Sequence, residues 1–583
     1  MRNFIGLITF SVLVASNGFL DPLQPYYNYA IVVSEATHGD PAWREVVDSL
    51  CIRHNGKVFV YPNTVWDVKD SVAAYNPDYI AFVCQIPEAS PTFVCQIPEA
   101  SPTFVQYDAW PFSRQLDADP YGDAAWGIIT GCDAADALKL VTGPREIEVK
   151  TVLGGTSSCY ANYYPQGIAT YEGTYGRYNL KYPDSIKNVQ FNDGPTDRTE
   201  WLVDMINGDS LIFEDSVDIF YTSGHGSPTS WQLHYPGSGL EGYFRSDGTG
   251  HLYGDPYSGP NIDILSDNPK IYFALGNCLV GQVNGPNCMV PAWIRSGGAK
   301  LVTGYVVYEG AYSYQHGATK AYFSLQDHCP WPIAFFLGNI VFKFDLDNNT
   351  PGIGSPPDYN GSGLYGDPAL DARIPEGPGF VYDTLLYTKE LEVKPGVTKD
   401  TITFRITMNK DGRPGYDGKW GHRSPIVLFP FRCKDIEIID HNCIKVLVQD
   451  NFALMYIWYQ GQPELPQGTE RHVTFLANRW YPGVEEEVAA KPTPLSLNCY
   501  PNPFSSRVKI VLSPSRSDEV DLKIYDNVGR LVKTIYQGPI KAEETSFSWS
   551  GTDDNSRKLP SGVYFLRLTG TKQSIVRKLL VMR

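Results

Sequence analysis

No run of about 20 apolar residues, the length a bilayer-crossing helix needs, occurs in this 583-residue chain. Basic residues are short relative to acidic ones, 48 against 64, and the resulting net charge of -16 repels phosphate backbones, which excludes nucleic acid as a natural partner. There is no HExxH and no paired CxxC, so zinc-hydrolase chemistry has no ligand set to build on. Methionine is scarce, 6 residues against 38 Tyr, a balance that suits strand-rich and turn-rich domains. What is present is 43% hydrophobic residues, ample for packed cores, in a length that at about 150 residues per domain suggests roughly four domains.

The one apolar run that stands out is at the start. Arg2, the stretch Phe4 to Ala15, and the small residues Ala15, Ser16 and Gly18 have the three parts of a secretory signal peptide over 1–18. A secreted or cell-surface protein with no transmembrane segment after leader removal is expected. Its eleven cysteines are an odd number, so at least one stays unpaired outside the cell, and an exported free thiol requires a use. Cys433 and Cys443 flank a hairpin-like stretch and are a candidate bridge.

From Ala30 onward strand and helix signals alternate. The run Ala30 to Val33 is followed by Asp40-Pro41, a cap and a first-turn proline, and a helix to about His54 with Trp43, Val46, Val47 and Leu50 on one face. Lys57 to Tyr61, Tyr79 to Val83, Trp126 to Thr130, Val149 to Leu153, Val217 to Thr222, Ile271 to Leu275 and Leu301 to Val307 read as strands. Asp197 with Glu200 has the spacing of a capping box that opens another helix. Such alternation predicts an α/β fold with a mainly parallel, doubly wound sheet. Residues 83–93 and 94–104 are the same eleven letters, too short and too identical for an architectural repeat; the first copy suffices to complete the strand at Tyr79. The Pro/Gly-rich stretch Gly352 to Gly379 reads as a loop at a domain boundary. Beyond it, alternation such as Thr401 to Thr407 predicts a β-sandwich, and a linker, Glu485 to Pro494, leads to a second, Ig-like sandwich in which Val520 to Tyr525 and Val563 to Leu568 alternate again.

Two strand ends carry the chemistry. Asp218 to Thr222 runs into Ser223-Gly224-His225-Gly226-Ser227, and Ile271 to Leu275 runs into Gly276-Asn277-Cys278-Leu279. In a parallel sheet both tips emerge at the carboxyl edge, where open α/β folds place their sites. Cysteine supplies a thiolate to attack an amide carbonyl, and histidine both accepts the thiol proton and returns it to the leaving amine. The backbone amides of Gly226 and Cys278 are the candidate oxyanion hole. The order, histidine 53 residues before cysteine, agrees with the caspase arrangement, about 50 residues, and reverses the papain order. His316 with Cys329 and Cys288 with His328 are rival pairs, neither at the ends of two strong strands.

Other patterns are weaker. Gly237-Ser238-Gly239-Leu240-Glu241-Gly242 matches a dinucleotide fingerprint but lacks the strand before it and the helix after it. Asp345, Asp347, Asn348 and Asn349 open a calcium-loop pattern without its glycine and distal glutamate. No cofactor is required, and a structural calcium ion is the only one left open.

The Gly224-His225-Gly226 and Leu275-Gly276-Asn277-Cys278 blocks, the segment Gly297 to Tyr305, and Gly366-Asp367-Pro368 together resemble the gingipain family of cysteine peptidases over roughly residues 27–372. The resemblance implies a caspase-like fold in two α/β subdomains, here 21–150 and 151–372, and endopeptidase action on protein or peptide substrates in a bacterial setting, with the histidine and cysteine roles at His225 and Cys278. An acidic residue that orients the histidine in some members has five candidates here, Asp193, Asp197, Asp204, Glu214 and Asp218. The sandwich at 380–488 follows. In the last domain, 495–583, the segments Tyr500-Pro501-Asn502-Pro503-Phe504, Ile524 to Val532 and Leu559 to Phe565 resemble the carboxyl-terminal sorting domains of the type IX secretion system. That implies secretion machinery as a partner. Similar Ig-like modules, including that of the flagellar hook-capping protein, do no sorting, so a purely structural module stays open. For the whole chain the alternatives are a non-catalytic adhesin that keeps the fold and a transpeptidase using the same thioester.

Overall fold

In the computed structural model the described residues are 12–14, 27–480 without 87–103, 156–160, 172–176, 190–196, 210–215, 234–240, 309–313, 349, 351–358, 376–384 and 416–420, and most of 495–581. The chain divides into two compact units, Met1–Val484 and Glu485–Arg583.

The first unit is organised by a 12-stranded, mostly parallel sheet. Across it the order is Ser185–Val189, Tyr178–Tyr182, Gln166–Thr170, Thr151–Gly154, Ile219–Thr222, Lys270–Ala274, Ala299–Tyr305, Ser362–Gly366, Ala125–Ile129, Tyr79–Val83, Tyr29–Ser34 and Lys57–Tyr61. The two expected halves are therefore parts of one continuous sheet. Within each half the central strands run parallel, and the halves meet at an antiparallel seam between Ala299–Tyr305 and Ser362–Gly366. Strands such as Tyr79–Val83 and Ala125–Ile129 are buried on both faces and are accordingly continuous runs without a charged residue.

The seam strand corrects the reading of 352–379 as a loop. Ser362–Gly366 is fully buried in the middle of the sheet, and its glycines concealed it: Gly366 has φ +133°, and a side chain there would sit 2.2 Å from the Lys300 carbonyl oxygen. A short helix, Glu35–Gly39, follows the strand Tyr29–Ser34, and the expected helix comes next as Pro41–His54, capped by Asp40, with Trp43, Val46, Val47 and Leu50 buried. The box at Asp197 is not closed. The helix Thr199–Asn207 has Arg198 as its cap residue, while Asp197 bonds the Thr199 amide and no reciprocal Glu200 bond forms.

Residues 385–480 form two antiparallel sheets around a core of their own, but Ile426, Leu428, Phe452 and Leu454 belong to the α/β core. Buried polar links run between the two regions: Lys389 to Asp327 at 2.8 Å, Tyr322 Oη to the Ser424 carbonyl at 2.6 Å, and Arg432 to the Asp123 carbonyl at 2.8 Å. Residues 12–14, inside the expected leader, pair with Leu391–Val393 at the sheet edge. Cys433 and Cys443 are both free thiols, so the candidate bridge is not formed: Cys433 points into the sandwich core and Cys443 donates to the His472 carbonyl.

The second unit is a three-stranded sheet facing a four-stranded one, all antiparallel, over a core that includes Leu497, Ile510, Leu522, Trp549 and Leu566. Among the described residues no helix is long and apolar enough to cross a membrane.

Candidate active site

Ile219–Thr222 and Lys270–Ala274 are adjacent, parallel and in register from Ile219 opposite Ile271 to Thr222 opposite Ala274. The bond from the Leu275 amide to the Thr222 carbonyl, 3.0 Å, carries the pairing to the exit of both strands. Three residues later on one strand is His225, and four later on the other is Cys278. The two turns touch through their backbones: a methyl group on Gly226 would lie 2.6 Å from the Cys278 carbonyl oxygen. His225 is exposed and Cys278 is half-buried.

The turn after the cysteine is held tightly. Leu279 has φ +62°, a left-handed conformation that costs a non-glycine residue about 1–3 kcal/mol and recurs at functional sites. Beyond it Gly281 lies flat on the neighbouring strand. Its amide bonds the Tyr305 carbonyl at 2.9 Å, and an added side chain would meet the Gly304 carbonyl oxygen at 2.2 Å. Gly226 also starts a five-stranded antiparallel sheet in which Gly226–Ser227 pairs with Ser230–Gln232.

The rival pairs lie elsewhere. His316 and Cys329 are fully buried. Burial lowers His316 to about 3 and pushes the Cys329 thiol well above its ordinary range, so neither ionises near neutrality. Cys288 is also buried and its thiol is raised by burial, while burial lowers His328 to about 4. Burial pushes Cys132 and Cys433 to about 12, and Cys443 and Cys499 to about 11.

Of the five candidate acids, Asp193 and Glu214 fall outside the described residues. Asp218 is at the opposite end of the histidine strand, accepting from the Lys150 and Thr151 amides at 2.8 Å each. Asp197 bonds the Thr199 and Tyr257 amides, and Asp204 is on the helix Thr199–Asn207. The Gly366-Asp367-Pro368 block is structural. Asp367 is fully buried and accepts from Tyr29 Oη at 2.9 Å, Arg53 Nε at 3.0 Å and His54 Nε2 at 2.7 Å. Burial pushes this carboxyl up, yet His54 and Arg53 hold it well below the usual carboxylate range.

The fingerprint 237–242 is described only at Glu241 and Gly242, and Glu241 forms a buried ion pair with Arg198. Asp345 and Asp347 turn to different neighbours, Asp345 to Tyr314 and Asp347 to Lys343 and Tyr121. Asn348 accepts from Lys445, and Asn349 lies outside the described residues. One set of three carboxylates does converge among the described residues, Asp117, Asp119 and Asp450, with oxygens within 4.8 Å of one another. The sequence reading missed it because Asp450 is more than 300 positions away.

Residues that sequence reasoning also missed are Gln232 and Asn277. Gln232 Oε1 accepts from the His225 amide at 2.7 Å, and Asn277 Nδ2 donates to the His225 carbonyl at 2.9 Å and to the Gln232 carbonyl at 3.0 Å.

Residues 504–574 match the family model of the FlgD Ig-like domain. No curated protein matches the chain. Among solved structures the chain is similar to dimeric latent PorU from Porphyromonas gingivalis, at 10% identity and a TM-score of 0.22, over 95% of this chain and 64% of that one. It thus spans 64% of that protein's length. It is also similar to PorZ, an essential surface component of the type-IX secretion system of the same bacterium, at 12% identity and a TM-score of 0.13, over 70% of this chain and 56% of that one.

Proposed function

We propose that this chain is an exported cysteine endopeptidase that hydrolyses peptide bonds through a His225–Cys278 dyad. The observation that carries the reading is the meeting of the two turns: adjacent parallel strands release an exposed histidine and a half-buried cysteine at one edge, with the Gly226 backbone against the Cys278 carbonyl. In this mechanism His225 takes the thiol proton and the thiolate attacks the substrate carbonyl. The N–H groups of Gly226 and Cys278 receive the oxyanion, a donor role worth about 2.7–4 kcal/mol each in comparable sites. His225 then protonates the leaving amine and activates the water that hydrolyses the thioester.

The test is a substoichiometric iodoacetamide pulse on the mature protein, read by mass spectrometry. Cys278 is expected to label ahead of Cys132, Cys288 and Cys329, and His225→Ala is expected to slow that labelling, because an imidazolium partner stabilises the thiolate. Preferential labelling of Cys288 would overturn the dyad and leave the non-catalytic adhesin. Transfer of the thioester to an amine instead of water would appear as an amide product when glycinamide is added.

We assign leader function to residues 1–18 and delivery to the cell surface to the carboxyl-terminal unit. The support for delivery is the three segments that resemble type IX sorting domains; the match to the FlgD Ig-like domain supports the sandwich and not the sorting. Truncation after Glu487 is expected to leave peptide hydrolysis intact and abolish surface display in the native host. Undiminished display would make this unit a structural module.

A further inference from the structure

The exposed histidine sits on a turn, and both of its backbone groups are pinned. Its N–H is taken by Gln232 Oε1 at 2.7 Å, and its carbonyl accepts from Asn277 Nδ2 at 2.9 Å and from the Gln232 amide at 3.0 Å. The pinning residues are buried, Gln232 at 6% exposure and Asn277 at 0%. Their chemistry suits this role. Gln232 offers an acceptor to an N–H, and the Asn277 amide group has two hydrogens for two carbonyls, the second on Gln232 itself at 3.0 Å. A carboxylate at 277 would have no hydrogens to donate. Asn277 is also the residue immediately before Cys278, so a displacement of either catalytic backbone is shared with the other.

We propose that Gln232 and Asn277 are positioning residues that set the His225 imidazole relative to the Cys278 thiol. The inference rests on the dyad reading and adds to it the device that keeps the pair in register. Proton transfer demands hydrogen-bond reach between base and thiol, and a misplacement of about 1 Å is enough to cost about 100-fold in rate. Two neutral amides fix the backbone without adding a charge beside the reacting pair.

The test uses the full chain and three readouts: the rate of Cys278 alkylation by iodoacetamide against pH, kcat and KM for casein peptides, and Tm. Gln232→Leu is expected to slow alkylation at pH 7 and to lower kcat by about 10- to 100-fold, with KM within about twofold, because only the geometry of the reacting pair is disturbed. Gln232→Glu keeps the acceptor but adds the charge the amide avoids, so it is expected to retain more kcat than Gln232→Leu while moving the pH dependence of Cys278 alkylation. Asn277→Asp keeps the shape and loses both donors, so it is expected to fall with Asn277→Ala; the Gln232 pair decides the matter whether or not these variants fold. A Gln232→Leu protein with wild-type Tm, alkylation profile and kcat would overturn the proposal. His225→Ala separates the two readings. If it leaves Cys278 alkylation unchanged, the dyad itself fails; if it slows alkylation while Gln232→Leu does not, only the positioning role fails.

Discussion

A histidine and a cysteine stand at the exit of the strand Lys270–Ala274, and another of each, His316 and Cys329, is buried in the core. At the strand exit are exposed His225 and half-buried Cys278; in the core, Phe273 packs on His316 at 4.8 Å and on Trp331, two residues after Cys329, also at 4.8 Å. The side chains are chemically the same. Solvation separates them: the core histidine stays neutral down to about pH 3 and the core thiol stays protonated, whereas a strand exit gives both substrate and water access.

The sharpest way to break this comparison is to remove each thiol in turn. Cys278→Ala is expected to lower peptide hydrolysis by at least about 1,000-fold with Tm within a few degrees, since a strand-exit thiol contributes little packing. Cys329→Ala is expected to do the reverse, leaving turnover within about twofold while costing roughly 1–2 kcal/mol of stability through the cavity it leaves. An active Cys278→Ala protein would erase the distinction.

A smaller effect is expected from two glycines beside the site. In Gly226→Ala the new methyl meets the backbone oxygen of Cys278 at 2.6 Å, whereas in Gly276→Ala it meets the hydroxyl of Ser223 at 2.6 Å, a side chain that can rotate away. Turnover in Gly226→Ala is expected to fall about 100-fold and in Gly276→Ala by less than about threefold. Equal losses would show that the two turns do not meet as closely as the backbone contact implies.

The core histidine makes the smallest prediction. Its folded pKa is lowered by burial from 6.5 to about 3, so below pH 6.5 the unfolded chain binds a proton the folded chain refuses. Its contribution to stability is therefore complete above pH 6.5 and is lost as pH falls toward 3, at up to about 1.4 kcal/mol per pH unit. His316→Gln is expected to reduce the acid slope of stability relative to the wild type in urea melts at pH 6.5, 5.5 and 4.5. An identical slope would place His316 in contact with water.

Much of the frame is local and was legible for that reason. Asp40-Pro41 and the apolar face at Trp43, Val46, Val47 and Leu50 specify the start and the buried face of the helix Pro41–His54, and continuous runs such as Tyr79–Val83 specify strands buried on both faces. The strand Ser362–Gly366 was illegible because two of its five residues are glycines and its place in the middle of the sheet depends on pairing Val302 and Ile128, 63 and 237 residues before Tyr365. Gln232 and Asn277 were illegible for a related reason: a carboxamide at a strand end or on a turn reads as a solvated polar residue until folding buries it against a histidine backbone 7 or 52 positions distant.

By itself the sequence determined the alternation of strands and helices, the two strand exits bearing histidine and cysteine, and the alternating pattern of the carboxyl-terminal sandwich, because each is written in contiguous hydrophobic periodicity. Only the tertiary structure decided that the two α/β halves join through one late strand and that the sandwich at 385–480 shares their core. It also decided which histidine and cysteine meet solvent and which are sealed in. Those outcomes depend on desolvation and on hydrogen bonds between distant segments, and neither exists until the chain has closed on itself.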